Sequence, residues 1–163
     1  MRQVLMALVL VAGCGAGADQ GNSAGGGTKG DVQTSTLTGL YEGGPALKPN
    51  QMCVIDRGTG NASFGLVVWG QNMHSCAGSG EAVQQGETLR LTMAGDESCT
   101  IEARIQNGNV TLPAAMPKGC AYYCGAQAQL GGASFAKKGG SVEDAMKAKD
   151  LVGEPLCGGM PTQ

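Results

Sequence analysis

The residues best placed to do chemistry are Asn72-Met73-His74-Ser75-Cys76, which hold the chain's single histidine. A Ser–His or Cys–His nucleophile would need the imidazole within hydrogen-bond reach of the hydroxyl or thiol. If this stretch is a strand, Ser75 faces away from His74. Cys76 shares its face, but lies about 6.5–7 Å along, which is too far. Met73, His74 and Cys76 could instead form a copper site, since soft ligands suit Cu(I). That requires a free thiol. The ordinary reading is a hairpin-end histidine with no special task. Cys120 and Cys124 could begin a zinc site, but no matching second pair and no nearby histidine completes it. Gly58-Thr59-Gly60 lacks the glycine-lysine pair of a phosphate loop and the third glycine of a dinucleotide fingerprint. The acidic residues never cluster as a paired general acid and base. The chain therefore reads as non-catalytic, with no metal or cofactor expected.

The cysteines have a simpler use. There are seven, and six of them lie in the expected folded part of the chain: Cys53, Cys76, Cys99, Cys120, Cys124 and Cys157. An even set in a small exported domain reads as a disulfide framework, here up to three bridges. If Cys120-Ala-Tyr-Tyr-Cys124 is helical, their Cβ atoms stand about 5–6 Å apart. A disulfide wants about 3.5–4.5 Å, so the two should pair elsewhere. The seventh cysteine, Cys14, is left over.

Cys14 follows a distinctive leader. Met1-Arg2-Gln3 carries one charge, and Val4 to Val11 is an unbroken apolar run. Spanning a bilayer needs about 20 apolar residues, so this is a signal-peptide core and not a membrane helix. Val11-Ala12-Gly13-Cys14 resembles the lipobox of bacterial lipoprotein precursors. The resemblance implies cleavage after residue 13 and a diacylglycerol on the Cys14 thiol. Two acyl chains provide the two signals that stable anchoring takes. Gly15, where many Gram-negative lipoproteins retained in the inner membrane have aspartate, favours the outer membrane if the host is Gram-negative. The expected location is the cell envelope, with the folded part outside the cytoplasm.

Residues 14–35 then read as the lipidated cysteine and a tether. Seven of the residues from Gly15 to Ser35 are glycine, and Val32 is the only sizeable apolar side chain. Such a segment cannot bury enough surface to offset its ordering entropy. As a coil it would span about 25 Å. A single domain is expected over residues 36–157, with a short tail over 158–163. The net charge is −2 and charged residues are 15% of the chain. That leaves no basic footprint, so nucleic acid is not an expected partner. The aromatics are few: Tyr41, Phe64, Trp69, Tyr122, Tyr123 and Phe135. A thin core of this kind is usually reinforced by disulfides.

The middle of the chain reads as β. Strands are expected over Thr36–Tyr41, Met52–Asp56 and Ala62–Trp69. In the third, Phe64, Leu66 and Val68 share one face while Val67 and Trp69 share the other. A strand apolar on both faces suits a sheet centre or barrel wall. Gly65 could mark a bend. Period-two alternation is clearest over Thr88–Met93 and Thr100–Gln106. Glu102 and Arg104 lie on the polar side of that alternation, as a solvated face. Asn107-Gly108 is the residue pair of a type I′ hairpin turn. It sets Gln106 opposite Asn109, Ile105 opposite Val110 and Ala103 opposite Leu112. The same register carries Cys99 towards Cys120, which suggests that bridge. Ser141-Val-Glu-Asp144 has capping-box form. A short helix to Val152 should follow, stopped by Gly153 and Pro155.

The expected fold is mainly β: a small antiparallel barrel or sandwich-like domain, disulfide-stapled, with a short C-terminal helix. This layout of leader, linker and small β domain is similar to several envelope lipoproteins, including periplasmic inhibitors of C-type lysozyme. The likeness covers architecture alone, so no site residues carry over. The expected role is binding or structural work at the envelope, with membrane contact through Cys14 and a possible envelope protein partner. Inhibition of a secreted hydrolase such as lysozyme is one alternative. A metal-binding or redox protein is another.

Overall fold

A computed structural model describes residues 37–58 and 60–158. The leader, Cys14, the glycine-rich linker, Thr36 and the tail beyond Gly158 lie outside the described residues. So does Thr59, within the turn-rich stretch Arg57–Asn61.

Eight antiparallel strands run in chain order and close on themselves. They are β1 (Gly39–Gly43), β2 (Asn50–Asp56), β3 (Asn61–Trp69), β4 (Ser75–Gln85), β5 (Thr88–Met93), β6 (Thr100–Gln106), β7 (Asn109–Thr111) and β8 (Ser134–Gly139). β8 pairs with β1, so the fold is a barrel and not a sandwich, and neither sheet edge is left open.

Strand periodicity decides what fills it. Phe64, Leu66 and Val68 of β3, Leu89, Leu91 and Met93 of β5, and Ile101, Ala103 and Ile105 of β6 all turn inward. Met52, Val54, Val110 and Phe135 join them in one continuous core. On the outer face, Arg90 of β5 meets its cross-strand partner Glu102 of β6 at 2.8 Å. β5 and β6 match their expected limits, and Asn107 and Gly108 both take positive φ (49° and 74°) as a type I′ turn requires.

Three sequence expectations shift. The first strand runs Gly39–Gly43, not Thr36–Tyr41. The hairpin keeps its expected register, Gln106 opposite Asn109 and Ile105 opposite Val110, but its ladder ends at Arg104 and Thr111, one pair short of Ala103 and Leu112. The Leu112 amide instead donates to the Ala133 carbonyl. The helix α1 spans only Val142–Ala145. Its capping box forms as expected, Ser141 Oγ accepting from the Asp144 amide at 3.1 Å. Beyond Met146 the chain turns and its amides find partners outside the helix. The Asp150 carboxylate accepts from the Val152 and Glu154 amides, and the Lys149 amide donates to Gln51 of β2. Two strands had no signal in the sequence: β4 and β8.

The C-terminal segment forms a strap over the outside of β1 and β2. Leu40, Cys53 and Ile55 pack there under Ala145, Ala148 and Cys157, forming a second small core. The Cys53–Cys157 disulfide fastens it.

Candidate functional site

The barrel's two ends differ. One end, the turn end, carries three short connections: residues 57–60, Gly86-Glu87 and Asn107-Gly108. The described chain also enters here, where Leu37 and Tyr41 border a small cavity with Asn107 and Gly108. The other end, the loop end, carries residues 44–49, 70–74, 94–99 and the long segment 112–133.

Segment 112–133 caps the loop end. It holds a 3-10 helix over Lys118–Tyr123, and it buries Leu112, Cys120 and Leu130 against the barrel core. Two disulfides fix it: Cys99–Cys120 ties it to the start of β6, and Cys76–Cys124 ties it to β4. Backbone bonds add to the hold, with the Gly125 amide donating to the Ser75 carbonyl and the Gln71 amide to the Gln127 carbonyl. The barrel interior is filled with side chains, and two cavities larger than the one at the turn end lie around the cap.

The structure pairs all six cysteines of the domain: Cys53–Cys157, Cys76–Cys124 and Cys99–Cys120. The last bridge is the one the hairpin register suggests. Cys120, inside the 3-10 helix, and Cys124, extended just past its end, bond to different partners. This removes the Cys–His nucleophile and the copper site, both of which need a free Cys76 thiol. The Cys76 sulfur is bonded to that of Cys124, so it offers no thiolate. His74 precedes β4 in a tight loop and packs against Gly125, where a Cβ would stand 2.8 Å from its Nδ1. Tyr123 donates to the Ala94 carbonyl at 3.4 Å. Desolvation raises its phenol pKa, with help from nearby Asp96 and Tyr122.

What the sequence did not single out is the ground between the cap and the loop 70–74. Asn72 and Met73 both hold positive φ (50° and 65°), which makes this loop a sharp turn. The Asn72 side chain donates to Gln127 Oε1 at 2.7 Å and locks the loop to the cap. Between them runs an open groove of about 600 Å³, bordered by Trp69, Gln71, Gln127 and Gln129. A second cavity of about 460 Å³, lined by Met116, Pro117 and Leu130, shares Ala126, Ala128 and Gln129 with it. Beside the groove, Lys48 Nζ stands 3.6 Å from the Trp69 ring centroid and 3.0 Å from Met73 Sδ. Its distance from the indole is that of a cation–π contact. Leu47, Met73 and Tyr122, also at this end, are exposed. The arrangement can bind, by apolar contact, amide hydrogen bonds and one ammonium. It presents no paired acid and base.

No protein-family model, curated protein or solved structure matches this chain.

Proposed function

We propose that the chain is a cell-envelope lipoprotein, anchored through acyl chains on Cys14, whose stapled barrel has a non-catalytic binding role. The observation that carries this reading is cysteine parity. Six cysteines pair with one another in the folded domain, which leaves Cys14 as the odd one, directly after an apolar leader. Three disulfides also suit an oxidising compartment. The polarity of the barrel supports the rest. The described chain begins with Leu37 at the turn end, so the loop end with its two cavities is the end of the barrel away from that first described residue.

Intact mass of the protein from its host's membrane fraction, before and after reduction, tests this. The expected species begins at Cys14, carries acyl chains, and gains about six hydrogens on reduction, two per bridge. A species that retains Met1, or one with a free and unmodified Cys14, would overturn it.

A further inference from the structure

The groove beside Trp69 has the chemistry of a sugar site. A pyranose offers an apolar C–H face and a row of vicinal hydroxyls. An indole serves the first and planar amides the second, since each amide presents donors and an acceptor together. Trp69, the last residue of β3, is tied to β2, its backbone N–H donating to Asn50 Oδ1 at 2.8 Å. Gln127 uses its side-chain oxygen on Asn72 and so keeps its NH₂ as a donor. The side-chain amides of Gln71 and Gln129 make no hydrogen bond among the described residues, and both residues are exposed.

Charge narrows the class. No carboxylate lines the groove. Lys48 is fixed against Trp69 and Met73, and it makes no ion pair among the described residues. An ammonium held on an aromatic face, without an anion of its own, suits a carboxylate brought by a ligand, through a charge-assisted hydrogen bond.

We propose that the groove of Trp69, Gln71, Gln127 and Gln129 binds an acidic oligosaccharide, with Lys48 receiving a sugar carboxylate. This rests on the reading of the loop end as the binding face. It is independent of lipidation, which the mass measurement reports separately.

Trp69 is the single tryptophan of the chain, so its fluorescence reports this groove alone. The full chain, expressed with its own leader and purified in mild detergent, is titrated with tetragalacturonate, with neutral chitotetraose and with a tetra-aspartate peptide. Tetragalacturonate should change the emission saturably and bind about tenfold more tightly than chitotetraose. Lys48→Gln should abolish that preference, and Gln127→Ala should weaken both sugars. Calorimetry on Trp69→Phe should show weakened binding, and an unchanged count of protected cysteines checks that the fold survives. No saturable response to either sugar overturns the proposal. So does an unchanged preference in Lys48→Gln. Equal binding of the acidic peptide would make the site a general anion site and overturn the sugar assignment.

Discussion

Gly65 of β3 lies directly beneath Leu156 of the C-terminal strap: a Cβ added there would stand 2.9 Å from both the Leu156 Cγ and its carbonyl oxygen. The glycine that reads in sequence as a bend is a point of close approach, and it lets the strap lie flat against the barrel wall. Gly65→Ala should therefore lift Leu156 and strain the neighbouring Cys53–Cys157 attachment. Overpacking of this kind costs about 1–3 kcal/mol. The urea midpoint should fall with an unchanged slope. An unchanged midpoint would mean the strap moves aside freely.

The same attachment should matter most among the bridges. Cys53 and Cys157 are 104 residues apart, against 48 for Cys76–Cys124 and 21 for Cys99–Cys120. In the chain-entropy account, longer loops restrict the unfolded state more, by about 4–5 kcal/mol for the longest and about 3 for the shortest. The double variant Cys53→Ala/Cys157→Ala should lose more stability than Cys99→Ala/Cys120→Ala when both are unfolded in urea. The reverse order would show that pinning the cap matters more than closing the long loop.

Tyr41 is buried at 1% exposure, and its hydroxyl donates to the Leu37 carbonyl at 2.7 Å. Burial pushes its pKa from the ordinary 10.0 up to about 12. Below pH 10 both the folded and unfolded chains keep this proton, so it adds no pH dependence. Between about 10 and 12 the unfolded chain releases it and the folded chain does not. Stability should fall across that window by about 1.4 kcal/mol per pH unit from this group. Tyr41→Phe should flatten that fall. At neutral pH it should cost about 1 kcal/mol for the lost hydrogen bond. Urea unfolding of both proteins at pH 7, 10 and 11 makes the comparison.

Ser63, on the outer side of β3, is 1% exposed, and its hydroxyl has no hydrogen-bond partner among the described residues. A buried hydroxyl left unpaired costs about 1–3 kcal/mol of desolvation. Ser63→Ala should be neutral or raise stability by about 1 kcal/mol. A clear loss in thermal midpoint would reveal a partner for the hydroxyl, such as a bound water.

Local chemistry made much of the fold legible. β5 and β6 show because each has one wet and one dry face, so polarity alternates at every residue. The Asn107-Gly108 turn and the Ser141–Asp144 cap show because each is a short-range geometric demand that few residue types meet. β4 does not show. Its inward positions include Gly78 and Gly80, which stay small because Met93 Sδ and the Thr92 carbonyl of the next strand press close. That requirement comes from β5 and leaves no hydrophobic period in β4 itself. β8 is hidden for a related reason: Phe135 is its only large apolar side chain in the core, and its place is set by β1 and β7.

By itself, the sequence determined the β class, an even set of six cysteines for three bridges, one hairpin register and the bridge that register implies. These follow from periodicity, parity and turn geometry, which act over a few residues. Tertiary structure alone decided that the sheet closes, that the helix yields to a strap, and that Cys76 pairs with Cys124. It also brought Lys48, Trp69 and Gln127 to one groove. Those outcomes depend on contacts between residues tens of positions apart, and their partners are chosen only when the chain packs.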